Sequence, residues 1–204
     1  MSRSAACLLI LMACVVAGAV PAFGQTTPGK AELTIVPGGW ISFAKPETAP
    51  NPSFGEYVVG GAITVNWTML AIEAELLAGL RRAQDLEFGS APSVNKKTPP
   101  VFMDAVSLVF PLVRQHAAVP YVSAGIGETT FNRLRDVGQA DTETFVSGFI
   151  GGGVKWYSSG RWGVRGDYRF IAVRAEDNAP GTFTGRQRRN AQRFYGALVV
   201  KLIP

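Results

Sequence analysis

Segments of about ten residues in which apolar and polar side chains alternate recur along this chain, separated by turn-forming clusters. Eight can be read: Glu32 to Phe43, Phe54 to Asn66, Leu70 to Leu80, Val101 to Phe110, Pro120 to Phe131, Thr144 to Tyr157, Trp162 to Arg174 and Ala191 to Ile203. Alternation of period two means strands with two different faces. The third segment also has apolar residues at helical spacing (Met69, Ile72, Leu76, Leu80). Yet Leu70, Ile72, Ala74, Leu76 and Ala78 alternate cleanly with Glu73 and Glu75, which favours a strand. Pro37 lies inside the first segment and cannot donate to a ladder, so a bulge or late start is expected near Gly38-Gly39.

The connections constrain the topology. In order they are long (Ala44 to Ser53), short (Trp67 to Met69), long (Arg81 to Pro100), short (Pro111 to Val119), long (Asn132 to Glu143), short (Ser158 to Arg161) and long (Ala175 to Asn190). Strict alternation puts long loops at one end and tight turns with both termini at the other. That is the pattern of an up-and-down barrel in a membrane. No uninterrupted apolar run of helix-spanning length follows Val20, so a spanning chain must close its backbone hydrogen bonds in a barrel. The expected fold is all-β: an eight-stranded antiparallel up-and-down transmembrane barrel over residues 25–204.

Residues 1–24 read as an export signal. Arg3 gives a positive start, Ala5 to Val20 is nearly all apolar, and Ala22-Phe23-Gly24 suits cleavage before Gln25. Read instead as a lipoprotein box, Leu11-Met12-Ala13-Cys14 would set the acylated cysteine inside the apolar run. Both cysteines, Cys7 and Cys14, lie in the leader, so the mature chain has no disulfide or thiolate metal site. Nineteen bases against fifteen acids leave a mature charge of +4, without the basic run of a nucleic-acid binder.

Aromatic residues bunch at the short turns: Trp67, Trp156, Tyr157 and Trp162, with Phe110 and Tyr121 flanking the second turn. Rings with a polar edge favour the membrane–water boundary, so these six are expected to form a girdle. The plain alternative is that they fill a soluble core. Charges fall on single strand faces: Glu73 and Glu75, Asp104, Lys155, then Arg165, Asp167 and Arg169, with Lys201 lower down. A charge facing lipid at mid-depth costs about 2–4 kcal/mol, so these eight are expected to point into the lumen and pair there. Structural plugging, a gated ion path and acid–base catalysis all use such a cluster; the small inward residues Gly125, Gly127, Gly151 and Gly153 suit a filled interior.

The chain resembles the small outer-membrane β-barrel families, the OmpA transmembrane domain and OmpX-like proteins. The resemblance rests on Pro-Tyr-Val-Ser-Ala-Gly-Ile-Gly from Pro120, Phe-Ile-Gly-Gly-Gly-Val-Lys-Trp from Phe149, Val-Arg-Gly-Asp-Tyr-Arg-Phe from Val164 and Tyr-Gly-Ala-Leu-Val-Val-Lys-Leu from Tyr195. It implies a bacterial outer-membrane location, a lumen held by polar networks, long outer loops for contacts, and insertion by the barrel-insertion machinery. The chain ends Leu202-Ile203-Pro204, where those families usually end in an aromatic residue.

No catalytic residue, metal or cofactor is expected. The only histidine, His116, falls in a short turn, away from any outer-leaflet substrate, and Asp136 to Glu143 lacks the spacing of a calcium loop. Lys96, Lys97, Arg186, Arg188, Arg189 and Arg193 are expected at the outer rim, where they could pair with lipopolysaccharide phosphates. The expected function is a monomeric structural or surface-interaction barrel contacting outer-membrane lipid. The alternatives are a narrow porin-like barrel for small or apolar solutes and a soluble lipocalin-like periplasmic carrier.

Overall fold

The computed structural model describes residues 28–44, 52–87, 92–113, 117–134, 140–158, 160–174 and 189–204. The leader, His116, Arg186 and Arg188 lie outside them, as do residues 136–139 of the segment from Asp136 to Glu143.

Among the described residues there are ten strands: β1 (Ala31–Phe43), β2 (Phe54–Asn66), β3 (Ala71–Leu80), β4 (Ala83–Leu86), β5 (Val94–Lys97), β6 (Val101–Pro111), β7 (Ala118–Leu134), β8 (Ala140–Tyr157), β9 (Trp162–Val173) and β10 (Arg189–Ile203). Eight close into one barrel in the order β1-β10-β9-β8-β7-β6-β3-β2, and every barrel pair is antiparallel. The eight expected segments are the eight barrel strands, and the segment with an ambiguous period is a strand. The remaining two, β4 and β5, pair with each other in a hairpin within the second long connection. Four-residue strands are too short to show a period, so alternation along the chain does not mark them.

The expected irregularity at Pro37 is present. Pairing on both sides of β1 skips one residue between Ile35 and Gly39. The bulge leaves the proline without a ladder bond to donate. It also shifts the phase of β1, so Glu32, Thr34 and Val36 face inward below it and Ile41 and Phe43 above it.

Partners traced once around the wall run Leu80, Tyr57, Trp40, Phe194, Tyr168, Gly152, Val122, Phe110. Phe110 lies one step past the Val109–Ala71 pair, so the circuit returns at Leu70, ten residues below Leu80. Such an offset tilts the strands by about 40° and makes a narrow barrel whose interior side chains can fill.

The interior has two layers. Towards the long loops, Phe43 stacks on Phe54 at 4.8 Å and meets Phe131 edge-on at 5.4 Å, within an apolar cluster that includes Ile41, Val58, Val101 and Met103. Towards the short turns the interior is polar and charged. The outward face is the reverse of a soluble protein's: Ile126, Val146, Ile150 and Val164 are all more than half exposed. Outside, the Trp40 ring lies against Gly55, where a Cβ would overlap it, and meets Tyr57 edge-on at 5.1 Å. Gly55→Val should therefore expel the Trp40 ring. The expected loss is about 1–3 kcal/mol in chemical denaturation, with a red-shifted tryptophan emission.

Candidate functional site: the charged lumen

Pleat alone decides which side chains meet inside. The odd-numbered residues of β3, β8, β9 and β10 point inward, which brings Glu73, Glu75, Lys155, Arg165, Asp167, Arg169 and Lys201 to the lumen, each at most 5% exposed. Glu73 is the hub. Its carboxylate accepts two bonds from Arg165 (Nη1 at 2.5 Å, Nη2 at 3.0 Å), one from Arg169 Nη2 at 2.7 Å and one from Thr64 Oγ1 at 2.9 Å. Asp167 accepts Arg165 Nη2 at 2.7 Å, Arg169 Nε at 3.0 Å and the Tyr121 hydroxyl at 2.5 Å. Glu75 accepts Arg169 Nη1 at 3.3 Å, Arg193 Nη2 at 2.6 Å and the Tyr195 hydroxyl at 3.0 Å.

This lattice holds three carboxylates and three guanidinium groups, so its formal charges cancel. Paired charges and shared hydrogen bonds make burial tolerable, where a lone ion would cost several kcal/mol. Rings complete it: Arg169 lies 4.4 Å from the Phe149 centroid and Arg165 lies 5.0 Å from that of Tyr121. Gly151 sits under the Arg169 stem and Gly153 under the Tyr121 ring, so both must lack a Cβ.

A second cluster closes the short-turn end. Glu32 accepts Lys155 Nζ at 2.7 Å, the Tyr157 hydroxyl at 2.7 Å and the Gly29 amide at 3.0 Å. Lys201 sits opposite Glu32 in the register, 5.0 Å from the Tyr157 ring centroid. A cavity of about 10 Å³, enough for roughly one water, lies between Pro28, Tyr121, Lys155 and Tyr157. Glu32 was missed in the sequence because it precedes the bulge, where the face cannot be read from the residues after Pro37.

Five of the expected placements need correction. Asp104 faces outward, half-buried, paired in register with Leu76 and Glu128. Both faces of β6 are apolar, so its one charge did not reveal its side. Tyr121 and Tyr157 are 3% and 1% exposed and serve the lumen, because their neighbours Val122 and Trp156 take the outward face. Of the six residues expected in a girdle, Trp67, Phe110, Trp156 and Trp162 are outward and exposed. Arg193 and Arg189 are buried on the inward face of β10, Arg193 on Glu75 and Arg189 donating to the Pro52 carbonyl. The signal for Arg193 was available: it shares the odd-numbered face of Lys201. Of the expected rim contacts, Lys96 and Lys97 are exposed on β5, on opposite faces of the hairpin.

Each carboxylate of the lattice is already bridged by arginine or tyrosine donors. The arrangement is suited to tying β3, β7, β9 and β10 together across the lumen, with no acid or base directed at an open space. Among the described residues no group of three or more His, Cys, Asp or Glu could hold a metal ion.

No protein-family model matches this chain, and no curated protein matches it. Solved structures do. Neisserial surface protein A is similar over 84% of this chain and 97% of its own, with 11% identity and a TM-score of 0.60. The N-terminal β-barrel domain of Pseudomonas aeruginosa OprF is similar over 86% and 98%, with 14% identity and a TM-score of 0.49. The fold is therefore the closed eight-stranded barrel of small outer-membrane proteins.

Removing one member of the lattice should cost more than removing an outward charge. Glu73→Ala is expected to lower unfolding free energy by about 3–5 kcal/mol in urea titrations, since it takes one carboxylate from each of two buried guanidinium groups and leaves the lattice with a net positive charge. Asp104→Asn should change it by no more than about 0.5 kcal/mol, as for other partly exposed sites.

Proposed function

We propose that the chain is an integral protein of a bacterial outer membrane, exported by its leader and inserted as a monomer by the barrel-insertion machinery. Its filled lumen holds the wall together and does not conduct, and its long-loop end meets the surroundings. One observation carries this reading: apolar side chains face outward over the whole circumference while paired charges face inward. Water would favour the opposite arrangement, whereas lipid demands this one. The outward rings support it further. Trp67, Phe110, Trp156 and Trp162 lie near the short turns, and Trp40, Tyr57, Phe102 and Phe194 lie towards the long loops, as two boundary girdles would.

At the long-loop end, exposed Arg81, Arg82, Lys96 and Lys97 flank the hairpin, with Arg82 5.7 Å from the Trp40 ring centroid and 5.8 Å from that of Tyr57. Placed just above a girdle, these cations suit phosphates of lipopolysaccharide. A lipocalin-like carrier would need polar residues where Ile126 and Ile150 stand. A transport barrel would need a path past the Glu73–Arg165 layer, which spans the narrow lumen.

The test is fractionation followed by gel migration with and without boiling. An outer-membrane protein resists a urea or carbonate wash and migrates differently when boiled; recovery in the soluble periplasm would overturn the reading. Ile150→Arg gives a sharper check. In a bilayer it should cost about 2–4 kcal/mol of folding free energy, whereas an exposed site on a soluble barrel would lose about 0.5 kcal/mol or less.

A further inference from the structure

The apolar upper layer of the lumen forms a cup. Its wall is Phe43, Phe54, Phe131 and Phe145, and the Glu75–Arg169–Arg193 layer lies beneath it. Two features of the cup stand apart from the wall's own ladder and the charged lattice.

The first is Arg189, on the inward face at the long-loop end of β10. It is 1% exposed, with its guanidinium 5.0 Å from the Phe54 ring centroid. Nη2 donates to the Pro52 carbonyl, but Nε and Nη1 have no hydrogen-bond partner among the described residues. A buried guanidinium with free donors carries a desolvation cost that an oxyanion would relieve, and its planar fork fits a carboxylate or phosphate-type group. Among the described residues two acids at this end have buried carboxylate oxygens: Glu56 leans over Gly79 with Arg81 and Thr98 as its neighbours, on the β3 side, and β1 separates its strand from Arg189, while Glu143 is on β8, separated from β10 by β9.

The second is Leu86. It belongs to the β4–β5 hairpin and not to the wall, yet it is fully buried within the same apolar cluster. The hairpin is held to the rim by Gln84, which donates to the Gly55 carbonyl at 2.9 Å and accepts from the Gly55 amide at 3.2 Å. An aliphatic side chain from a loop thus belongs to the same apolar cluster as Phe54, the ring over which the Arg189 guanidinium lies.

We propose that the cup is a binding site for a single-chain anionic amphiphile, its alkyl chain taking the place of Leu86 and its head group pairing with Arg189. The inference rests on the membrane reading, which sets the depth of the cup. Arg189 points inward, so the amphiphile arrives from the loop end and not sideways from the surrounding lipid. Gln84 releases and re-forms its two bonds to Gly55 as the hairpin lifts, and Leu86 competes with the ligand for the same space.

The test uses the whole chain in phosphatidylcholine nanodiscs, titrated with dansyl-labelled undecanoate and competed with dodecanoate or dodecanol. Saturable binding above that of empty discs is expected, with dodecanoate the better competitor. Arg189→Gln should weaken binding by about tenfold or more, the worth of a charge-assisted bond, and abolish the preference for the anion. Leu86→Ala should strengthen it severalfold, a sign that partial unfolding would not give. A barrel that keeps its boiling-dependent shift but binds no probe, or whose Arg189→Gln variant binds like the parent, overturns this inference and leaves the membrane reading intact. Recovery as a soluble protein overturns both.

Discussion

A backbone that meets lipid has nothing to bond with except itself, and the rest of this structure follows from that. The ladder must close, so β1 has to find β10 as well as β2. Closure at eight strands with the observed offset leaves a lumen only wide enough for side chains. At the depth of the lipid the outward half of every strand must then be apolar, and charge that the strands carry there must be accommodated inside. Glu73, Glu75, Asp167, Arg165, Arg169 and Arg193 meet because the wall leaves them nowhere else to go. Their geometry makes the meeting tolerable: planar guanidinium forks bridge two or three carboxylates at once.

Much of the wall was legible in the sequence because its period is two and its loops alternate in length. Strand β2 can be read to its last residue, and Pro37 announces the bulge in β1. What resisted was the choice of face where the code is ambiguous. Around Asp104 both faces are apolar. For Tyr121 and Tyr157, aromatic character suits a girdle and a lumen equally well, and only the neighbouring residue decides. Arg189 and Arg193 were read as loop-end cations, although β10 runs on to include both. The β4–β5 hairpin was invisible, because its stability comes from Leu86 and Gln84 docking on the barrel and not from any pattern of its own.

Asp104 and Glu128 show how the outward rule is bounded. They face each other in register on the outside, between the apolar residues Phe102 and Val106 of β6 and beside Ile126 of β7. Directly opposed like charges destabilise a sheet, and each would be costly at mid-depth. Both lie toward the long-loop ends of their strands, next to the level of Phe102. Above Glu128, Thr130 bonds across to Thr144 on the exposed face at 3.0 Å. The polar boundary is therefore reached on this side before the strands end, and β7 and β8 continue past their other neighbours to pair Leu134 with Ala140.

The division of the lumen into an apolar upper layer and a charged lower one bears on register. A slip by one residue turns a strand inside out. In the upper layer the penalty is modest where β6 is apolar on both faces. In the lower layer the same slip would drive Arg165, Asp167 and Arg169 from β9 into lipid together, taking from Glu73 both its guanidinium partners and from Glu75 its bond to Arg169. Apolar filling alone would specify the packing of β6 only weakly, since Phe102 and Met103 could trade places at little cost. The buried ion pairs add little net stability over well-packed apolar residues, yet they make every wrong pairing of β9 and β3 expensive. The charged lattice thus selects one closed barrel from the several that the apolar pattern would tolerate.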